Sequence, residues 1–436
     1  MKPINVGLLG LGTVGAGTIQ VLRRNKDEIA RRAGREIRVS HATARDLTKA
    51  RNFSLDGIEM LTNADELVIH PDIDIVCELI GGDTFTKALV LKAIANGKHV
   101  VTANKALLAK HGTEIFAAAL ENRVTVAFEA AVAGGVPIIK ALREGLTANR
   151  IEWIAGIING TSNFILSEMR SRGASFGSVL AEAQAMGYAE ADPTFDIEGI
   201  DAAHKLTILS AIAFGVPPQF DKAYTEGIST LTDKDIKYAE QLGYRIKLLG
   251  ITRRANDGIE LRVHPTLIPE KRLIANVEGV MNAILVKGDA VGATLYYGRG
   301  AGGEPTASAV VADLVDVARM MTADPEHRVP HLSFQPDQLH DTPILRMEQV
   351  ETGCYLRLRA FDKPGVMADV TRILADGSIS IDAILQKEAE EGEDLVDVII
   401  LTHRSVEANV NTAIARIEAL PTISAKVIRI RLEELN

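Results

Sequence analysis

The chain has 436 residues, 47% of them hydrophobic with a single Trp, and a formal net charge of −9. That length exceeds one ordinary core and predicts two or three domains, while the acidic balance argues against nucleic acid or an acidic membrane surface as partner, since both need a basic footprint. Only two cysteines occur, Cys77 and Cys354, so nothing suggests a disulfide framework or a zinc site, and no apolar run reaches the roughly 18 residues of a membrane-spanning helix.

The chain enters a strand at once, Ile4 to Leu9, with no signal peptide ahead of it, so a cytoplasmic location is expected. A helical stretch follows through Ile19, Val21 and Leu22, then a second strand, Ile37 to Thr43. Ile73 to Ile80 is another strand, with Cys77 as a buried thiol, followed by a helix from about Thr86 to Asn96 that Gly97 stops. His99 to Ala103 is the next strand, a helix runs through Leu107, Leu108, Ile115 and Phe116, and Val124 to Phe128 closes the series. Such alternation predicts an α/β, Rossmann-type parallel sheet covered on both faces.

Within it, Gly10-Leu-Gly12-Thr-Val-Gly15 follows a strand and opens a helix, the setting that makes this spacing a dinucleotide fingerprint. Gly10 permits a tight turn, Gly12 lets the backbone approach a pyrophosphate, and Gly15 lets helix and strand pack closely. The helix N-terminus then offers free N–H groups to the phosphate charge. The second strand runs into Ala44-Arg45-Asp46, with Lys49 and Arg51 just after. A guanidinium at Arg45 can grip a 2′-phosphate, which favours NADP with NAD still possible; a solvated arginine on an exposed loop explains the same residue.

Gly134-Gly135 and Pro137 break the alternation. Helices are predicted at 163–172, 176–186 and 200–214, and strands at 151–158, 245–252, 259–267 and 280–297, which suggests an α+β domain with a partly antiparallel sheet. Glu304 to Met321 carries Ala307, Val310, Val311, Leu314, Val315 and Ala318 on a helical period, and such a helix could return to pack on the first domain. Asp324 to Thr342, with Pro325, Pro330 and Pro336, reads as a linker.

Beyond it lie a strand at Tyr355 to Phe361, a turn at Asp362-Lys-Pro-Gly365, a helix to about Ala375, strands at 379–388 and 395–403, a helix at 406–419 and a strand at 426–432. That βαββαβ order describes a self-sufficient ferredoxin-like module, and Glu388 to Asp394 reads as a solvated hairpin tip. The expected domains are 1–135 completed by a helix at about 304–322, then 136–303, a linker at 323–350, and 351–436.

Two lysines suggest the chemistry. Lys105 follows a strand at the carboxyl edge of the sheet, where doubly wound folds bind their ligands. Lys205 lies four residues after Asp201 on one face of a predicted helix, behind a loop dense in carboxylates: Glu190, Asp192, Asp196 and Glu198. A surface ion pair is the commonest reason for that spacing. The Pro193-broken loop beside it, however, could hold a zwitterionic amino acid, and an ammonium group can deliver a proton to an alkoxide as hydride arrives. The pattern is that of a nicotinamide-dependent reductase. His204 is expected to pack or to make a surface hydrogen bond, and His264 and His331 have no partners at ligand spacing.

Gly7 to Gly15, Thr102-Ala-Asn-Lys-Ala106, Asn159-Gly-Thr-Ser-Asn163, Gly187 to Lys205, and Gly300-Ala-Gly302 with Pro305-Thr-Ala307 together resemble homoserine dehydrogenase of the monofunctional bacterial type. The tail around Asp362-Lys-Pro-Gly-Val366 resembles an ACT domain. The resemblance implies reversible conversion of L-aspartate 4-semialdehyde to L-homoserine, on the route to threonine, methionine and isoleucine. It implies Lys205 as proton donor, Lys105 between nicotinamide and substrate, Glu190 on the substrate ammonium, and Asp196 and Asp201 as orienting groups. Thr13, Val14, Arg45, Gly187 and Gly302 would contact the cofactor. A monovalent cation, sodium, would be held by Glu129 and the carbonyls of Val132, Gly134 and Val136; from the residues alone, Glu129 reads as a structural cap. The ACT module implies a homodimer or homotetramer with threonine as effector, and deletion beyond about residue 345 is expected to keep activity while abolishing inhibition. Two rivals stand beside this reading: reduction of another small semialdehyde or oxo acid, and a non-catalytic NADP- and amino-acid-sensing protein.

Overall fold

The computed structural model describes residues 2–46, 50–386 and 394–436; Lys49 and residues 388–393 of the acidic run lie outside them. The chain forms two compact units from interleaved segments: Met1–Gly160, Asp201–Ala223 and Val280–Thr342 in the first, and Thr161–Ile200, Tyr224–Gly279 and Pro343–Asn436 in the second.

The first unit is built on six parallel strands: β1 (Ile4–Leu9), β2 (Ile37–Thr43), β3 (Glu59–Leu61), β4 (Ile75–Glu78), β5 (His99–Thr102) and β6 (Val126–Ala127). Their order is β3-β2-β1-β4-β5-β6. Every residue of β1 and β4 is buried, because helices cover both faces and no solvent side remains to select polar residues. The strand order reverses between β1 and β4, so a crevice at their carboxyl ends is where such a sheet takes a ligand.

The helix Gly303–Met320 returns to this core, burying Ala307, Val310 and Leu314 beside Ile19 and Leu22 of the helix Thr13–Arg24. The approach is close at Gly17, where an added Cβ would meet the Gly303 carbonyl oxygen at 2.5 Å. The short strand Glu59–Leu61 and helix Ala64–Ile69 are absent from the sequence reading, since three to six residues show no resolvable period.

The single strand expected at 280–297 is two antiparallel strands, Met281–Gly288 and Gly292–Arg299, reversing at a turn where Gly292 has φ 75°. The first of them also pairs with Ile151–Ile157. The proline-rich stretch after Met321 is pinned rather than loose. Leu332 is buried, His331 Nε2 accepts the Val126 N–H at 3.1 Å and stacks on Phe116, and Arg328 donates to the Arg123 carbonyl at 2.8 Å. Prolines restrict the stretch to short turns such as the 3-10 helices Pro325–His327 and Pro336–Gln338 without preventing packing.

In the second unit, Tyr244–Ala255 pairs antiparallel with Gly258–Pro269. The other edge of Gly258–Pro269 takes Ile428–Leu432 in parallel register, Thr266 opposite Arg431 and Leu267 opposite Leu432. Glu351–Phe361, Leu395–Thr402 and Ile381–Gln386 continue the sheet antiparallel, and the helices Val366–Asp376 and Glu407–Glu418 complete the ferredoxin-like βαββαβ order. Val370, Leu374, Val410 and Ile417 bury one face of those helices on Leu356, Leu358, Val398 and Ile400.

A buried ionic layer reinforces the parallel seam. Glu433 accepts from Arg262 and, at 2.9 Å, from Arg253, while Arg262 also donates to Glu260 and contacts His264 Nε2 at 2.7 Å. Arg431 donates to Glu407 at 2.8 Å and to Glu226 at 2.7 Å. The C-terminal module is therefore part of a larger sheet and not a bead on a tether.

Candidate active site

The fingerprint takes its shape from backbone sterics. Gly10 sits at φ 102°, closed to side-chain residues, and donates its N–H to the Thr43 carbonyl at 3.0 Å. Gly12 is the N-cap of Thr13–Arg24, so Thr13 and Val14 form the first turn, whose N–H groups have no intrahelical acceptor. A Cβ at Gly15 would collide with the Gly10 carbonyl oxygen, and Gly303 lies against Thr13. Gly302, at φ 122°, caps the helix that follows it. This glycine-lined, N–H-rich cradle at the β1 switch point fits a dinucleotide pyrophosphate. Arg45 is exposed two residues past β2, at the correct end of the sheet for a ribose phosphate.

The two lysines meet. Lys105 is the first residue of the helix Lys105–Glu121, and Lys205 lies in Ile200–Phe214. Between them Asp201 is buried: its Oδ1 is 3.1 Å from Lys105 Nζ and its Oδ2 is 2.6 Å from Lys205 Nζ. Asn159 donates to Oδ2 at 2.8 Å, and Lys205 also donates to the Ile158 carbonyl at 2.7 Å. Burial alone would raise the Asp201 carboxyl, but the ammonium groups of Lys205 and Lys105 with the two hydrogen bonds to Oδ2 override it and hold the group well below the usual carboxylate range.

Exposure orders the pair: the Lys205 side chain is 11% exposed and that of Lys105 32%. An exposed i,i+4 pair would have been surface decoration; here the acid is enclosed and clamped by a residue 96 positions away in sequence. His204 packs on Phe220 with ring centroids 4.1 Å apart, and burial lowers its pKa to about 4, so it is a neutral packed ring.

The carboxylate loop belongs to the second unit. Gly187, at φ 74°, ends the helix Phe176–Ala185, and Glu190 is exposed with its carbonyl accepting from Gln184 at 3.0 Å. Asp192 is absorbed locally by the Thr194 hydroxyl, at 2.6 Å, and N–H, which lower its carboxyl. Asp196 is half-buried, and its carbonyl accepts from Ser162 at 2.9 Å. Thr161 holds the Tyr188 carbonyl at 2.8 Å, so adjacent hydroxyls fix two points of the loop.

Lys247, which sequence reasoning passed over in a strand, is buried behind this motif. It donates to the Val277 carbonyl at 2.6 Å and to Asn163 at 3.3 Å, and burial lowers its pKa to about 8. No period or motif marks it, because its partners, the Val277 carbonyl, the Asn163 amide and the Glu278 carboxylate at 3.3 Å, lie far from it along the chain.

Glu129 is buried and accepts the N–H groups of Ile139 at 2.9 Å and Lys140 at 2.8 Å, while its own N–H donates to Asp313 at 2.8 Å. Burial raises its carboxyl. Beyond it the chain turns through Ala133 at φ 53° and Gly134 at φ 43°; the Val136 carbonyl accepts the Ile138 N–H at 2.8 Å. Among the described residues no three His, Cys, Asp or Glu are grouped to hold a metal, and no helix is long and apolar enough to cross a membrane.

Residues 10–129 match the family described as homoserine dehydrogenase, NAD binding domain, residues 137–315 match homoserine dehydrogenase, and residues 355–421 match the ACT domain. A homoserine dehydrogenase of Pseudomonas aeruginosa is 65% identical over 438 residues, covering 100% of both chains. The crystal structure of a homoserine dehydrogenase from Thiobacillus denitrificans superposes with a TM-score of 0.96 at 72% identity, over 100% of this chain and 99% of that one. A hyperthermophilic archaeal homoserine dehydrogenase, solved in complex with NADPH, is 27% identical with a TM-score of 0.61, over 72% of this chain and 98% of its own. With its NAD-binding, catalytic and ACT domains, the chain belongs to the homoserine dehydrogenase family of NAD(P)-dependent oxidoreductases.

Proposed function

We propose that this protein reduces L-aspartate 4-semialdehyde reversibly to L-homoserine with NADPH, on the route to threonine, methionine and isoleucine. The observation that carries the mechanism is the buried Asp201 carboxylate shared by Lys205 and Lys105. The cradle at Gly10, Gly12, Thr13, Val14 and Gly15, with Gly302, would hold the dinucleotide; Gly187 is assigned to the same role by family likeness. The exposed Arg45 and the NADPH bound by the archaeal relative support NADP over NAD. When bound, the reduced nicotinamide supplies the hydride.

Lys205 then donates a proton to the carbonyl oxygen as charge grows there, and Lys105 adds a second positive charge beside nicotinamide and substrate. Asp201 keeps the two ammonium groups converged and aims the Lys205 Nζ. Glu190 takes the substrate ammonium and Asp196 orients the substrate. A positive amine held by a carboxylate favours an amino-acid semialdehyde over a plain oxo acid.

For the monovalent cation, the donor set of Glu129 with the carbonyls of Val132, Gly134 and Val136 is all oxygen, which suits a hard ion such as sodium, and the left-handed turn at Ala133 and Gly134 redirects those carbonyls. We assign residues 1–135 with the helix near 304–322 to the cofactor, 136–303 to the substrate, 323–350 to the connection and 351–436 to regulation. Threonine is the expected effector, at the ACT turn Asp362–Gly365, in a cytoplasmic homodimer or homotetramer. The test is NADPH oxidation with aspartate semialdehyde, repeated with NADH and with added threonine. Absence of oxidation would remove the activity, and indifference to threonine would remove the effector.

A further inference from the structure

We infer that Glu78, Thr102 and Asn104 form a buried relay that sets the position of Lys105, with Asn104 as the positioning residue next to it. The inference rests on the role proposed above for Lys105. Glu78 ends β4 at the switch point and is fully enclosed. One of its oxygens accepts the N–H groups of Ile80, at 2.9 Å, and Gly81, at 3.1 Å. The other accepts the Thr102 hydroxyl at 2.6 Å.

That hydroxyl in turn accepts the Asn104 N–H at 3.0 Å. Asn104 uses both ends of its amide: Nδ2 donates to the Gly82 carbonyl at 2.6 Å, and Oδ1 accepts the Leu107 N–H at 3.1 Å as the N-cap of the helix that Lys105 begins. Gly81 and Gly82, both at φ above 70°, make the turn that brings this carbonyl to Asn104. The loop after β4 and the first turn of the Lys105 helix are thus locked to one carboxylate.

A buried charge with three donors needs no further reason to be tolerated. Its placement is the informative part. The three donors are two N–H groups of the loop after β4, at the carboxyl edge where the ligand crevice opens, and a hydroxyl that orients the residue before Lys105. An N-cap satisfies a helix end anywhere; here the same side chain also ties that end to the Gly81–Gly82 turn, which fixes the helix along its own axis. Lys105 Nζ reaches Asp201 from the far end of a flexible stem, so the placement of its backbone sets where that stem starts.

The experiment is a kinetic double-mutant cycle on full-length protein, Asn104→Ala with Lys105→Ala, following kcat for aspartate semialdehyde reduction and the dissociation constant of NADPH by fluorescence. Asn104→Ala is expected to lower kcat roughly 10- to 100-fold, and in the Lys105→Ala background to lower it no further. Asn104→Ser, which keeps a capping oxygen, should recover part of the loss. If Asn104→Ala does not fold, Thr102→Val, which cuts the relay isosterically, replaces it in the cycle. Multiplicative effects, or a kcat within twofold of wild type in a folded variant, would overturn the relay while leaving Lys105 in its role. A Lys105→Ala enzyme with normal kcat would remove the role of Lys105 and the relay with it.

Discussion

Replacing Asp201 by Asn removes one charge and leaves the side chain's size almost unchanged. In the native site its carboxylate faces Lys205 Nζ at 2.6 Å and Lys105 Nζ at 3.1 Å. At an effective dielectric of 20, opposite unit charges 4 Å apart attract by about 4 kcal/mol, and deleting one partner of a buried pair costs about 3–5 kcal/mol. Lys205 is enclosed and bears most of this; Lys105 is a third exposed, so solvent screening reduces its share. The expected loss is therefore near the lower figure, about 3 kcal/mol in chemical denaturation. The freed ammonium groups no longer converge, and kcat should fall by about 10²-fold.

The pH dependence has a definite sign. The folded carboxyl lies below its unfolded value near ~3.9, so its stabilising contribution is complete above that pH and is lost as pH falls through and below it. The difference between wild type and variant should thus be flat from pH 8 to 5 and shrink in more acidic solution. A variant within 1 kcal/mol of wild type and with kcat within twofold (roughly the error of such measurements) would refute the shared-anion geometry.

Four further outcomes follow from other parts of the structure. Gly15→Ala puts a methyl group onto the Gly10 carbonyl oxygen, so NADPH affinity measured by fluorescence titration should drop at least about tenfold in a folded protein. Arg45→Ala should weaken NADPH by about 10- to 100-fold while changing NADH little, the worth of a charge-assisted phosphate contact; parallel loss of both cofactors would contradict that contact. Burial would raise the Glu433 carboxyl, but Arg262 and Arg253 hold it at about 2. Glu433→Gln leaves the enclosed Arg262 with reduced compensation and should cost about 3 kcal/mol; by the same reasoning a chain cut at residue 345 loses a paired strand and should be poorly soluble, where the sequence alone predicted an active core.

What could be read from sequence was local. The glycine fingerprint, the helix Ile200–Phe214 that carries Asp201 and Lys205 on one face, and the order of the C-terminal module all rest on periods and spacings within 20 residues. What could not be read was pairing across the chain. Nothing in the sequence says that Lys105 reaches the same carboxylate as Lys205, or that Glu78, in an otherwise apolar run, turns toward Thr102. The Gly258–Pro269 strand is buried at every position despite its Glu260, Arg262 and His264, since Arg262 pairs with Glu260 and Glu433 comes from far along the chain to accept from Arg262 and Arg253. The proline-rich stretch reads as a linker from its prolines alone; that His331 packs within it rests on partners about 200 residues earlier in the chain. Family likeness supplied the roles of Glu190 and the cation ligands, which no spacing marks.

The sharpest test is the single-turnover rate of NADPH oxidation by Lys205→Ala saturated with aspartate semialdehyde, with and without added methylammonium. A proton donor at this position predicts a rate lower by ~10²-fold or more, with partial, saturable recovery by the free amine. A rate close to wild type, indifferent to the amine, would contradict it.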